Sequence, residues 1–241
     1  MRRRRMATRK RTWSFGGNIP AKFVDHIRRS VPWYDEGHEL VCTLSEFFCR
    51  SGGLCYELGA STGQLTAKLA RRHDGQGVRF VGIDSEPAMV AYARRHCAGM
   101  ANVTFLSADC TDMSFEPCDL VVSYYCLQFV PFARRPAVVR RVFRGLNPGG
   151  AFVLFEKVAG DGARAEEILS GAYVDFKARN RFTGDEILGK SRSLRGLLTP
   201  QTSGGNVAML RQAGFRTVVP VMRYLCFEGL LAVKGPRECR R

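Results

Sequence analysis

Short apolar runs alternate with amphipathic stretches through the middle of the chain. Residues 54–58 form an apolar run, and residues 62–73 follow with Leu65 and Leu69 at helical spacing. A second apolar run at 78–83 again precedes a helical pattern, which Ser85 is expected to cap. Apolar runs of this length predict buried strands, and the helical spacing predicts amphipathic helices. The repeated alternation favours a parallel sheet with helices on both faces.

The same kinds of pattern extend the sheet and surround it with helices. Further strands are predicted at residues 102–106, 120–123, 151–155, 217–222 and 227–234, and further helices at 23–31, 36–50, 134–145, 163–179, 183–196 and 204–213. The last two strands are close enough in sequence to form an antiparallel pair at the sheet edge. We therefore predict an α/β Rossmann-like fold, with a mostly parallel seven-stranded sheet, an antiparallel edge strand and an N-terminal helical lid.

The composition fits one domain with a basic segment at each end. The 241 residues are 45% hydrophobic and 24% charged, which suits one folded unit at 19–234 with a helical insert at about 163–196. The net charge is +15, and the first eleven positions hold seven basic residues. We expect disordered basic tails at 1–18 and 235–241. Alternatively, the first tail binds RNA or an anionic surface. Translation that begins at Met6 would shorten this tail.

Hydropathy indicates the cellular compartment, and cysteine spacing indicates whether a disulfide or a metal site is expected. No apolar run approaches the roughly 20 residues of a membrane span, and no apolar segment follows the N-terminal basic run, so we expect a cytoplasmic protein. The nine cysteines are odd in number and include no Cys-x-x-Cys pair. This spacing argues against disulfides and against a metal site. The thiols are expected as small side chains of the core.

Glycines and carboxylates follow successive predicted strands. Residues 56–63 read Tyr-Glu-Leu-Gly-Ala-Ser-Thr-Gly, so Gly59 and Gly63 bound the turn after the first strand. Asp84 ends the second strand, and Asp109 follows the third. Glycine lets the backbone approach a ligand closely, and a carboxylate at the end of the second strand can accept both hydroxyls of a ribose. The pattern predicts a nucleoside-type site in which Asp109 accepts from an adenine amino group.

The turn departs from the dinucleotide-binding pattern Gly-x-Gly-x-x-Gly, because Ser61 stands where the middle glycine would fall. It resembles instead motif I of the class I S-adenosylmethionine-dependent methyltransferases, in which an acidic residue precedes the glycines. Glu57, Gly59 and Gly63 match that motif. The sequence Leu-Asn-Pro-Gly-Gly at 146–150 is similar to the stretch before strand five of the same family. The resemblance implies the class I methyltransferase fold and S-adenosylmethionine as the cofactor.

Further segments resemble one branch of this superfamily, the carboxy-S-adenosylmethionine synthases. The similarity includes Arg-Ser-Val-Pro-Trp-Tyr at 29–34, Leu-Gly-Ala-Ser-Thr-Gly at 58–63, Leu-Gln-Phe at 127–129 and Asp-Phe-Lys at 175–177, and it spans about residues 23–234. The branch supplies the carboxymethyl donor for wobble-uridine modification of tRNA and forms dimers, so the resemblance implies a small-molecule substrate and a homodimer. The candidate cofactor-binding residues are Tyr34, Glu57, Gly59, Ala60, Ser61, Gly63, Asp84, Ser85, Met89, Asp109, Cys110 and Tyr124.

Two positions differ from the branch. Ungapped alignment puts Tyr124, followed by Tyr125, where the branch has an asparagine after strand four. It puts Ser191 where the branch has an arginine that pairs with the additional carboxylate of carboxy-S-adenosylmethionine. A carboxylate in a closed pocket needs a cation, which Ser191 cannot provide and which a local shift of Arg192 would supply.

These differences leave three hypotheses. The preferred one is a methyltransferase that uses ordinary S-adenosylmethionine on a small molecule, with Tyr34, Tyr124 and Tyr125 lining the acceptor pocket. The alternative is a carboxy-S-adenosylmethionine synthase that uses prephenate, with Arg192 holding the carboxylate. The third is a non-catalytic module that binds the cofactor or associates with RNA. The candidate catalytic residues are therefore Tyr34, Tyr124, Tyr125 and Arg192.

The four histidines are candidate general bases, and they differ in their predicted distance from the site. His26 and His38 flank the predicted lid, so either is placed to act near the site. His73 and His96 follow basic helical stretches and are expected at exposed helix ends.

Overall fold

The computed structural model describes residues 19–236, so the predicted first tail and residues 237–241 of the second lie outside the described residues. The first half of the fold contains α1 (Ile19–Ser30), α2 (Tyr34–Ser45), β1 (Leu54–Leu58), α3 (Gln64–Arg72), β2 (Arg79–Asp84), α4 (Pro87–His96), β3 (Val103–Ser107) and β4 (Cys118–Tyr124). The second half contains α5 (Arg135–Gly145), β5 (Leu146–Ala159), α6 (Ala163–Arg179), α7 (Gly184–Ser193), β6 (Gln201–Thr202), α8 (Ser203–Ala213), β7 (Thr217–Tyr224) and β8 (Phe227–Val233). Strand and helix alternate as the hydrophobic pattern predicts.

One mixed sheet organises the molecule. Its strand order is β3-β2-β1-β4-β5-β8-β7, with β1 to β5 parallel and β8 antiparallel to both of its neighbours. The predicted parallel sheet with an antiparallel pair at its edge is confirmed. The two-residue strand β6, which pairs with the end of β5, brings the number of strands to eight. A segment this short carries no alternation, and so the sequence does not reveal it.

The two faces of the sheet carry separate cores. Val121, Phe152 and Leu154 pack with α5 and α8 on one face. Val122 and Phe155 pack with α2, α3 and α6 on the other face. The strand order reverses between β1 and β4, so the carboxyl ends of these two strands flank the crevice where ligands bind in open α/β sheets.

Two local predictions are wrong. His73 is not exposed, because its ring lies between α2 and α3, with Nε2 2.7 Å from the Ser45 hydroxyl and Nδ1 3.0 Å from Gln76 Oε1. Ser85 does not cap α4, because the N-cap position falls on Glu86 and Pro87 opens the helix. Within the described part of the chain, no helix is long and apolar enough to cross a bilayer.

Candidate functional site

The turn after β1 is shaped by close backbone approach. The N–H groups of Gly59 and Ala60 both donate to the Ile83 carbonyl, at 2.8 and 2.9 Å. Gly59 has φ 72°, and a Cβ there would lie 2.5 Å from Cβ and Sγ of Cys126. Gly63 has φ 77° and is the N-cap residue of α3. Only glycine meets both demands at position 59, so the loop is held against the residue that follows β4.

Asp84 joins the first two loops. Its Oδ2 accepts from the Ser61 N–H at 2.8 Å, and its Oδ1 accepts from the Glu86 N–H at 2.9 Å. Burial raises the pKa of the Asp84 carboxyl, although the two N–H groups act in the opposite direction. Each oxygen accepts one backbone bond, which leaves acceptor capacity for the two hydroxyls of a diol. The fixed carboxylate therefore suits a ribose.

Other candidate cofactor-binding residues lie along the same edge of the sheet. Asp109 is exposed after β3, and its Oδ1 accepts from the Thr111 N–H at 2.8 Å. Cys110 is buried, and a hydrogen bond with Cys126 is the largest influence that lowers the pKa of its thiol. Met89 is buried under the first loop, with its sulfur 3.7 Å from the Ser61 hydroxyl. Ser85 is exposed at the start of the β2–α4 turn.

Glu57 lies inside the fold, beneath the turn. Its carboxyl is buried and accepts a hydrogen bond from the Thr66 hydroxyl of α3. Burial raises the pKa of Glu57 to about 8, with the Thr66 groups acting against that shift. The side chain therefore ties β1 to α3, directly behind the loop that carries the glycines.

An aromatic cluster covers the end of β4. The Tyr124 ring contacts those of Tyr34, His38 and Tyr125, with centroids 5.5, 4.7 and 4.8 Å away. The Tyr124 hydroxyl donates to the Tyr34 carbonyl at 2.7 Å. Burial lowers the pKa of His38 to about 3, so its imidazole is neutral, and its Nδ1 has no hydrogen-bond partner among the described residues. The cluster joins the start of α2 to the sheet.

Gly37 makes room for this cluster. A Cβ at Gly37 would collide with the Tyr124 hydroxyl and lie 3.1 Å from its Cζ. Sequence reasoning singled out Tyr124 but missed Gly37. A glycine inside an amphipathic helix was the available signal, because such a glycine usually has a packing reason.

We expect Gly37→Ala to destabilise the protein by about 1–3 kcal/mol through overpacking against Tyr124. Tyr124→Phe removes the oxygen that collides, so the double variant should be more stable than Gly37→Ala alone. Urea unfolding of the four proteins measures this coupling. Gly171→Ala is the matched control, because a Cβ at Gly171 meets nothing within 4 Å and should stabilise α6 by about 1 kcal/mol. Additive effects of the two site substitutions would contradict the packing described above.

The arginine candidate is exposed on the helical insert. Arg192 is exposed near the end of α7, as are Ser191 and Arg195. The segment between α6 and α7 packs on α1, where the Arg29 guanidinium lies 4.4 Å over the Phe182 ring. The structure thus joins the glycine loop to Asp84 and holds it against Cys126, the residue after Tyr125, whereas Arg192 is exposed on the helical insert.

Comparison with known proteins identifies the family to which this chain belongs. The family described as "Methyltransferase domain" matches residues 56–150. The carboxy-S-adenosyl-L-methionine synthase of Staphylococcus epidermidis is 34% identical over 223 residues, which cover 92% of this chain and 97% of that protein. The synthase of Klebsiella pneumoniae is also 34% identical, over 94% of this chain and 93% of that protein.

A solved structure extends the agreement to the fold. An O-methyltransferase family protein from Burkholderia thailandensis matches with a TM-score of 0.63 and 19% identity, covering 91% of this chain and 60% of that one. The predicted fold class and the predicted class of enzyme, a transferase that depends on S-adenosylmethionine, are confirmed. The chain belongs to the carboxy-S-adenosyl-L-methionine synthase family, within the class I methyltransferase superfamily.

Proposed function

We propose that the protein transfers the methyl group of ordinary S-adenosylmethionine to a small molecule. The observation that supports this most directly is the position of Tyr124. Its phenol lies at the end of β4, where the family resemblance predicts a small amide. The hydroxyl donates to the Tyr34 carbonyl and occupies the space that a side chain at Gly37 would need. Ser191 replaces the expected arginine, and Arg192 is exposed. A carboxylated cofactor would therefore lack the arginine that the family resemblance places beside its second carboxylate.

The residues at the carboxyl edge suit the parts of the cofactor. We assign the ribose hydroxyls to Asp84 and the adenine amino group to Asp109. The loop N–H groups and the start of α3 favour the amino-acid carboxylate, since helix N-termini attract anions. The Tyr34 ring is half-buried beside this edge and suits contact with the sulfonium cation. The remaining proposed contacts are Gly59, Ala60, Ser61, Gly63, Ser85, Met89 and Cys110, with Glu57 supporting the loop from behind.

For methyl transfer the protein mainly aligns the two reactants and excludes water, and it takes little part in covalent chemistry. The cofactor supplies an activated methyl group. Tyr34, Tyr124 and Tyr125 are proposed to line the acceptor side, where packed rings hold the pocket walls fixed. Burial raises the pKa of all three phenols, so they stay protonated and act as hydrogen-bond donors.

The second candidate is the synthase activity itself, with Arg192 holding the additional carboxylate. The observation in its favour is 34% identity to proteins of that name over nearly their whole length. It requires α7 to present Arg192 inward. The third hypothesis, in its form of a non-catalytic module that associates with RNA, predicts no tightly held cofactor.

Mass spectrometry of the nucleoside released from denatured protein tests the proposal. The chain should be purified from a bacterial host that makes both cofactors. We expect S-adenosylmethionine or its demethylated product. Carboxy-S-adenosylmethionine at full occupancy would overturn methyl transfer, and absence of any nucleoside together with absent affinity would support a non-catalytic module.

A double variant provides the matched control for that measurement. Tyr124→Asn combined with Ser191→Arg introduces the amide and the cation that the family resemblance calls for. We expect this variant to shift the released nucleoside toward the carboxylated form. An unchanged ratio would show that these two positions do not select the cofactor.

Location and assembly are further proposals. We propose a cytoplasmic enzyme that forms a homodimer, as the family resemblance implies. Contacts with nucleic acid are restricted, in this proposal, to the basic tails outside the described residues.

A further inference from the structure

Two thiols lie at the carboxyl edge of the sheet, beside the proposed cofactor contacts. Cys110 follows Asp109 after β3 and is buried, whereas Cys126 follows β4 and is half-buried. A hydrogen bond joins the two thiols, although β2 and β1 lie between their strands in the sheet. The segments that follow β3 and β4 therefore meet across the edge where the cofactor site is proposed.

The thiol pair packs against the turn that carries the glycines. A Cβ at Gly59 would lie 2.5 Å from both Cβ and Sγ of Cys126, so the turn rests directly on this residue. The Asp84 carboxylate interacts electrostatically with both thiols, and it also accepts from the Ser61 N–H. A movement of either thiol therefore affects the residues that are proposed to hold the nucleoside.

The two thiols differ in their acidity. The hydrogen bond from Cys126 stabilises the thiolate of Cys110 and lowers the pKa of Cys110, while the same bond and burial raise the pKa of Cys126. By contrast, burial raises the pKa of the Cys42 and Cys118 thiols to about 11 and about 12, so these two remain protonated. A thiolate is the nucleophile in thiol oxidation, and an adjacent thiol can resolve the oxidised sulfur. Cys110 and Cys126 suit these two roles.

We propose that Cys110 and Cys126 form a redox-sensitive thiol pair, which a hydroperoxide converts to a disulfide that closes the cofactor site. The Cys110 thiolate attacks one peroxide oxygen, the O–O bond breaks, and a sulfenic acid forms while the released oxygen leaves as water after taking up a proton. The Cys126 sulfur then attacks the Cys110 sulfur, the S–O bond breaks, and a second water leaves with the proton of Cys126. The two thiols lose two electrons in total, and the peroxide gains them.

Disulfide formation changes the site at two points. It draws Asp109, next to Cys110, toward the segment after β4, and it moves Cys126 from its position against Gly59. The proposed cofactor contacts lie at the same edge, so the bound cofactor and the disulfide disfavour each other. Both forms of the cofactor contain the same nucleoside, and the effect does not depend on which group the sulfonium carries.

Calorimetric titration of S-adenosylhomocysteine before and after treatment with hydrogen peroxide tests the thiol pair. The treated natural protein should bind more weakly by about tenfold or more, and dithiothreitol should restore its affinity. Cys126→Ser cannot form the disulfide, so the same treatment should leave the affinity of this variant nearly unchanged. Dimedone should label Cys110 in the treated variant, because the sulfenic acid meets no resolving thiol.

Peptide mass spectrometry identifies the bond. Cleavage on the amino side of aspartate puts Cys110, Cys118 and Cys126 on three separate peptides. The unreduced digest of the treated natural protein should contain a link between Cys110 and Cys126. Saturation with S-adenosylhomocysteine before the treatment should protect the pair and reduce the yield of this link.

Cys49→Ser is the matched control, because Cys49 forms a second thiol–thiol hydrogen bond with Cys55, near the start of β1. Its response to peroxide should equal that of the natural protein. Absence of the link between Cys110 and Cys126, or an equal loss of affinity in Cys126→Ser, would overturn the proposal. Unchanged affinity in the linked protein, or a yield of the link that S-adenosylhomocysteine does not reduce, would also overturn it. Recovery of carboxy-S-adenosylmethionine from the purified protein would refute methyl transfer and leave this test unaffected.

Discussion

Asp84→Ala is expected to weaken the binding of S-adenosylhomocysteine by about 10²- to 10⁴-fold. Two hydrogen bonds from ribose hydroxyls to a carboxylate are lost, each contributing about 1.5–3 kcal/mol. The substitution also frees the Ser61 and Glu86 N–H groups that the carboxylate holds. Calorimetric titration measures the affinity, and circular dichroism with thermal unfolding establishes that the variant is folded.

Adenosine separates the ribose contact from general disorder of the site. If Asp84 binds the ribose, adenosine and S-adenosylhomocysteine should lose the same factor in affinity. Asp84→Asn keeps one acceptor oxygen and should fall between alanine and the natural residue. Asp112→Ala, at an exposed ion pair with Arg134, is the charge-matched control and should bind normally. Unchanged affinity in Asp84→Ala would show that the ribose lies elsewhere.

The centre of the sheet was predictable because its strands are buried on both faces. β1 and β4 are buried at every position, so they stand out as continuous apolar runs. The predicted bounds of α6 coincide with the observed helix. The N-terminal half of β5 was less visible, since Asn147, Pro148 and two glycines indicate a turn while the structure continues the strand through them.

The candidate site was predictable as far as it depends on strand ends. Gly59, Asp84 and Asp109 lie at or just after the ends of consecutive strands, where parallel topology puts them. Contacts between distant segments were not predictable, because one sequence does not state which side chains meet. The fit of Tyr124 to Gly37 and the approach of Lys157 to the Tyr173 ring join residues from different elements. Both arise from tertiary packing alone.

Glu57→Gln is expected to stabilise the protein at neutral and alkaline pH. The pKa of Glu57 is raised to about 8 in the folded state from an ordinary value near 4.5. Between these values the folded protein keeps a proton that the unfolded chain has released. Stability is therefore fully present below the unfolded pKa and is lost as the pH rises, by about 1.4 kcal/mol per pH unit, until the folded pKa is passed.

Urea unfolding at pH 5, 6, 7 and 8 measures this slope. Glutamine cannot titrate but can still accept from the Thr66 hydroxyl, so the variant should lose the contribution of Glu57 to the slope. Glu156 is buried with a pKa of about 8 as well and should leave a residual slope in the variant. Glu36→Gln, exposed on α2, makes the same change in formal charge and should leave the slope intact. Parallel curves of stability against pH for Glu57→Gln and the natural protein would show that Glu57 is ionised in the fold.

Glu57 lies behind the loop and ties β1 to α3. The affinity for S-adenosylhomocysteine should therefore change far less in Glu57→Gln than in Asp84→Ala. This difference separates the residue that supports the site from the residue that binds the ribose.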